Sequence, residues 1–316
     1  MARRLSSFQT LALWTTGTTY FLILVGGLVR ASGAGLGCPD WPRCFGGWFP
    51  PASAAELPPG FEPSQFNPAL MWTEYLNRLL GVTVGILIFA TLVSAWRHHR
   101  QTPRIFWPTV AAFVLVAFQG WLGGVVVQQE LAAWLVTIHM VVALVIVSLL
   151  LYATVYAFFA RGAAVRVHGH GRRLLAWSAL VLMVTTLGQV VLGTQVRERI
   201  DEAIDAGIAR TEALATVGAF DRWHREGALV ILIGAVLVVW IVLSRHRDER
   251  ALMEAAAVLA ALVALQILLG ISMAYLALTP SAQVAHLTAS SLLLGAETVV
   301  FLLARWLPPR SATAIT

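Results

Sequence analysis

The sequence predicts an all-α integral membrane protein, with eight transmembrane helices arranged as two pseudo-symmetric four-helix bundles. Three observations carry this reading: eight long apolar runs, an alternation of charge between the loops that join them, and one residue pattern that recurs at a fixed offset.

The apolar runs decide the class. Of the 316 residues, 58% are hydrophobic and 12% charged, and the mean hydropathy is +0.76. Soluble domains carry about 25% charged residues. A helix needs roughly 20 mostly apolar residues to cross about 30 Å of hydrocarbon. Eight stretches qualify, at approximately 11–29, 72–95, 105–127, 133–159, 174–197, 224–244, 252–275 and 283–304. Helices and closed barrels alone satisfy their backbone in lipid, and unbroken runs of this length imply helices. Residues 1–27, with Arg3 and Arg4, could pass for a signal peptide, but the apolar run is long and no small-residue cleavage site follows it.

The charge pattern sets the orientation. The net charge is +6, yet there is no lysine and the arginines cluster in short segments at 97–104, 161–173 and 245–250 and at both termini. That distribution argues against nucleic acid as a partner. The alternate loops hold most of the acids, among them Asp40, Glu56, Glu62, Glu130, Asp201, Glu202 and Asp205. The positive-inside rule then places both termini in the cytoplasm, and the loops after spans 1, 3, 5 and 7 outside.

The repeat supplies the organisation. An offset of 147 positions (266 − 119) separates Gln119 from Gln266, Asn77-Arg78 from His224-Arg225, and His139 from His286. Residues 1–165 and 166–316 are therefore read as two copies of one bundle, parallel because four spans restore the orientation. Gln189 and Gly193 in span 5 repeat the Gln-Gly spacing. Gly26 and Arg30 match Gly193 and Arg197 at a different offset, so the first outer loop is 20 residues longer than its partner. The glycines allow close helix packing or leave room for a flat ligand. The first outer loop, 31–71, is too long for a connector and is read as a folded functional cap. After span 5, Ile200, Ile204 and Ile208 suggest a short amphipathic helix on the outer surface.

Cys38 and Cys44, the two cysteines, both lie in the first outer loop. An oxidising compartment favours a disulfide, structural or redox-active; free thiols are the alternative. Of the eight histidines, His98, His99, His168, His170 and His246 fall in the basic inner loops and are read as solvated or in contact with lipid headgroups. His139, His224 and His286 lie instead within one or two turns of the outer ends of even-numbered spans. Polar side chains are costly there. Facing histidines in a four-helix bundle can hold haem iron from both sides, whereas a structural zinc would need a fourfold Cys/His set.

His224 and His286 can pair in the second half. In the first half Asn77 stands where the second has His224, so His139 holds iron alone and leaves one face open. Glu74 stands on the same helix face as Asn77, one turn earlier. It is either a base beside that open face or an acid favoured by the helix dipole. Arg30, Arg78, Arg197 and Arg225 suit haem propionates or snorkel to the interface.

Three motifs carry a resemblance: Val25-Gly-Gly-Leu-Val-Arg30, then Ser32-Gly-Ala-Gly-Leu-Gly-Cys38-Pro-Asp-Trp-Pro-Arg-Cys44, then Glu74-Tyr-Leu-Asn-Arg78. Together they resemble the heme A synthase family over nearly the whole chain. The resemblance implies an oxidoreductase of a bacterial cytoplasmic membrane that converts the C8 methyl of haem O to the formyl of haem A by successive hydroxylations. It implies a haem b cofactor in the second half, on His224 and His286 with Arg225 and Arg197. It implies haem O in the first half, at His139, Asn77, Arg78 and Arg30, with Glu74 as the functional glutamate and Cys38–Cys44 as the disulfide. Asn77 departs from the pattern Glu-x-x-His-Arg. Partners implied are membrane lipid, a heme O synthase, an electron acceptor and a homo-oligomer. A non-catalytic haem carrier or electron-transfer haem protein of the same fold stays open. A transporter would want broken helices and polar residues at mid-membrane.

Overall fold

The structure, a computed structural model, describes residues 5–159 and 170–306. Among the described residues it is all-helical. The helices are α1 (Ser7–Ala31), α2 (Pro68–His99), α3 (Pro103–Gln128), α4 (Ala133–Phe159), α5 (His170–Asp205), the single turn α6 (Arg210–Ala213), α7 (Ala219–Arg245), α8 (Arg250–Tyr275) and α9 (Pro280–Trp306). All but α6 are long and apolar enough to cross a membrane. His168, the expected half boundary at 165/166 and the terminal arginines Arg3, Arg4 and Arg310 lie outside the described residues.

Two spans begin at side-chain caps. Ser6 caps α1, its side chain accepting the Gln9 N–H while the Gln9 side chain accepts the Ser6 N–H. Asn67 caps α2 by accepting the N–H groups of Ala69 and Leu70, with Pro68 pre-set for the first turn. That cap starts the helix four residues before the apolar run, because capping depends on hydrogen bonds and not on hydropathy.

The expected surface helix after span 5 is corrected. Ile200 and Ile204 belong to α5 itself, which runs on through Asp205. They pack with Ile208, Ala213, Leu214, Val217, Phe220 and Leu278 into a small cluster at the helix end. The isoleucines are thus satisfied inside the protein, with no membrane surface needed to bury them.

Packing makes two rings. In one, α1 packs on α2 and α4, and α3 on α2 and α4; in the other, α5 packs on α7 and α9, and α8 on α7 and α9. Helix α9 also contacts α1 and α4, and is the most enclosed span. Hydrogen bonds tie the first ring at depth: Thr15 to Thr91 (2.8 Å) and Thr16 to Thr154 (3.1 Å) join α1 to α2 and α4. Such polar pairs matter in lipid, where apolar burial gives helices no preference for one another. Leu175, Leu182, Val238, Ile241, Leu252, Leu259 and Val300 fill the second ring.

The segment between α1 and α2 is folded. Three 3₁₀ turns punctuate it, and Cys38, Cys44, Phe45 and Met71 form a core of their own against Phe61, Phe66 and Tyr75. It caps the end of the molecule where α2, α4, α7 and α9 begin, called here the disulfide end.

Candidate functional site

His224 and His286 sit near the starts of α7 and α9, at the disulfide end. Their ring centroids are 6.3 Å apart, with the planes inclined at 61°. Nδ1 of each is buried without a hydrogen-bond partner among the described residues. Such atoms are costly unless something else satisfies them. A glycine faces each ring: a Cβ on Gly193 would lie 3.1 Å from Cε1 of His224, and one on Gly270 3.7 Å from Cε1 of His286. One turn earlier on the same helices, Gln189 donates to the His224 carbonyl and Gln266 meets Nε2 of His286 at 3.1 Å. An imidazole nitrogen binds a metal at about 2 Å and its ring centre lies about 1 Å beyond, so two rings on one iron stand about 6 Å apart. The pair fits a haem held from both sides. Among the described residues no group of three His, Cys, Asp or Glu side chains forms a bare-metal site.

On the other side, His139 of α4 has the same surroundings. A Cβ on Gly123 would lie 3.5 Å from its Cε1, Gln119 donates to its carbonyl at 2.7 Å, and its Nδ1 is buried without a partner among the described residues. On α1, a Cβ on Gly26 would lie 4.0 Å from the amide oxygen of Asn77, which is also buried without a partner among the described residues. The position one turn before Gly26 is Leu22, where Gln189 precedes Gly193. The glutamine and the histidine are therefore both replaced at this corner.

These glutamines are the functional candidates that attention to charged residues passed over. The signal was present as Gln-x-x-x-Gly, which places the glutamine side chain and the bare glycine on one helix face.

The arginines diverge. Arg30 and Arg197 share one carboxylate, with Asp201 2.9 Å from the first and 2.8 Å from the second; Arg197 also donates to Gln283. Arg225 pairs with Asp221 at 2.8 Å and reaches the Tyr275 hydroxyl at 3.2 Å. Arg78 is fully engaged. Its guanidinium donates to Glu74, to the carbonyls of Asp40 (2.7 Å) and Arg43 (2.8 Å), and to that of Cys38 (2.9 Å). Those contacts use all five N–H donors of an arginine, so none is left for a propionate.

Glu74 is 4% exposed; one oxygen takes Arg78 and the other accepts the Cys38 N–H at 2.8 Å. Cys38 and Cys44 are joined by a disulfide. Glu74 and Arg78 together fasten this disulfide loop to α2.

Two of the histidines read as solvated depart from that reading. His246 is buried, its Nδ1 2.9 Å from Glu249, which also pairs with Arg172. His99 packs edge-on against Phe8, with ring centroids 4.7 Å apart. His98 is exposed, as expected.

Comparison with known proteins agrees with this architecture. A heme A synthase from Allorhizobium ampelinum is 28% identical over 313 residues, covering 87% of this chain and 84% of its own length. One from Bacillus licheniformis is 23% identical over 299 residues, covering 92% and 93%. One from Geobacillus kaustophilus is 29% identical over 152 residues, covering 48% and 43%. Residues 9–298 match the family described as COX15-CtaA, cytochrome oxidase assembly protein, and the chain belongs to that family.

Proposed function

We propose that this chain is a heme A synthase: it oxidises a methyl group of haem O to the formyl group of haem A. Haem O occupies the α1–α4 side on His139, and a resident haem b occupies the α5–α9 side on His224 and His286. One observation carries the assignment of sides. Each side has a histidine beside the glycine of a Gln-x-x-x-Gly helix, but the α5–α9 side has two such corners with their histidines facing, whereas at the second corner of the α1–α4 side Asn77 and Leu22 stand in place of the histidine and the glutamine. Two strong ligands close an iron to further chemistry and suit electron transfer. A single histidine retains a substrate and leaves its far face open.

The two halves are read as copies of one bundle, with termini in the cytoplasm and the disulfide end outside. Bound haem b supplies one-electron redox chemistry. The chain supplies position and proton handling. Arg30, Arg197 and Arg225 place guanidinium groups at the disulfide end, where planar two-point hydrogen bonding suits propionates. Arg78 is assigned to the loop instead. Oxidation of a methyl carbon releases protons with the electrons, so the substrate side needs an acceptor. Glu74, one turn from Asn77 and buried, is the residue assigned to it.

The test is co-expression with a source of haem O, followed by haem extraction and chromatography. The expected result is haem A from the unaltered protein. From Glu74→Gln the expected result is haem O or a hydroxylated intermediate, with the haem b spectrum retained. Absence of haem A from the unaltered, haem-loaded protein would leave the carrier reading. Haem A at the unaltered rate from Glu74→Gln would reduce Glu74 to a loop fastener.

A further inference from the structure

Trp41 stands at the tip of the disulfide loop, and its backbone is held on both sides. Arg78 takes the carbonyls of Asp40 and Arg43, and Glu74 takes the Cys38 N–H. The Cys38–Cys44 bridge closes the ring around it. The Asp40 carboxylate accepts the N–H groups of Phe45 (2.6 Å) and Gly46 (2.9 Å). The indole then lands on α3. A Cβ placed on Gly124 would lie 2.8 Å from both Cδ2 and Cε3 of Trp41, closer than real Cβ atoms come. Gly124 is buried and adjoins Gly123, the glycine that faces His139. Yet Trp41 is still 39% exposed, so the packing on Gly124 leaves much of the ring unused.

The repeat provides an internal control. At the offset of 147, Gly123 corresponds to Gly270, but Gly124 corresponds to Ile271, which is 50% exposed. The glycine facing the histidine is thus present on both sides. The second glycine is present only where an indole must fit, and only the α1–α4 side carries the long loop that brings one.

We propose that Trp41 is the lid residue of the α1–α4 site, retaining haem O by laying an aromatic face against the porphyrin held on His139. This rests on the reading of that site as the substrate site. Trp41 is a positioning residue: it sets how long the substrate stays and leaves proton transfer to others. The rigid clamp holds the indole against α3, next along the helix to the glycine that faces His139, at little entropic cost, and its absence on the α5–α9 side matches a cofactor held by two histidines and needing no lid.

The experiment uses purified, haem-b-loaded protein with bound haem O, and an excess of apomyoglobin to capture released haem. The variants are Trp41→Ala, Trp41→Phe and Gly124→Ile, with His139→Ala as the control for the site. Trp41→Ala and Gly124→Ile are expected to release haem O about tenfold faster, the scale of a lost aromatic contact. Trp41→Phe restores most of the retention. KM for haem O rises by a similar factor while kcat changes less, and the low-spin haem b spectrum is unaltered. Resistance of the loop to trypsin is recorded alongside. Release from Trp41→Ala at the unaltered rate, with His139→Ala releasing fast, overturns the lid and leaves the site assignment standing. Faster release that merely follows loop cleavage, without rescue by phenylalanine, also overturns it. Release from His139→Ala at the unaltered rate overturns both the lid and the substrate-site reading.

Discussion

Replacing Arg78 with alanine separates two roles open to an arginine at the disulfide end: fastening the loop and binding a propionate. The side chain makes five N–H contacts, two with Glu74 and one each with the carbonyls of Cys38, Asp40 and Arg43. Alanine leaves the Glu74 carboxylate, only 4% exposed, without its cation. Removing one partner of a buried ion pair costs about 3–5 kcal/mol. The Arg78 side chain is 16% exposed, and water can reach the Arg43 carbonyl, so the lower end applies, about 3 kcal/mol. The cost falls on a loop fastened at few points, so it appears as local opening and leaves the spans assembled. At 1.4 kcal/mol per tenfold, the open population rises roughly a hundredfold.

Arg43 lies inside the loop and is itself a trypsin site. Cleavage after it follows the open population when closing is fast, and the two fragments separate only on reduction of Cys38–Cys44. Arg78→Ala should be cut roughly a hundredfold faster than the unaltered protein. Arg78→Lys, with three donors in place of five, should fall between. The haem b spectrum should be unaltered in both. Equal cleavage rates, with haem O retention lost, would show that Arg78 serves the propionate after all and that the clamp argument is wrong.

His224→Ala and His286→Ala should each abolish the low-spin haem b spectrum while the protein still accumulates in the membrane; an unaltered spectrum in both would remove the ligand assignment. Gly193→Val should lose haem b as well. A Cβ there already lies 3.1 Å from the His224 ring, so two further methyls displace the imidazole; wild-type haem b content would count against the cradle. Asn77→His combined with Leu22→Gln should restore the missing corner and give the substrate-side iron a second strong ligand. Its spectrum should become low-spin and haem A output should fall, and undiminished haem A formation would show that an open iron face is not required.

The sequence alone was enough to find the spans, because each residue's transfer cost into lipid belongs to that residue and sums along a run. It singled out His139, His224 and His286 as candidates, because polar side chains near the ends of membrane helices at repeat-related positions are costly. Their environment was partly legible too, since Gln-x-x-x-Gly puts the glutamine side chain and the bare glycine on one helix face. The caps at Ser6 and Asn67 were written in the sequence but lay outside the apolar pattern used to bound the helices.

Tertiary structure decided the rest. Arg78 reads as a propionate ligand until the carbonyls of Cys38, Asp40 and Arg43 are seen to take its donors. His246 reads as solvated until Arg172, 74 positions away (246 − 172), arrives with Glu249 to bury it. The second glycine of Gly123-Gly124 reads as helix packing until Trp41 is found against it. In each case the residue's role depends on a partner far along the chain. A hydrogen bond or van der Waals contact forms within a few ångströms in space, and no local pattern of hydropathy encodes which distant groups the fold brings within that range.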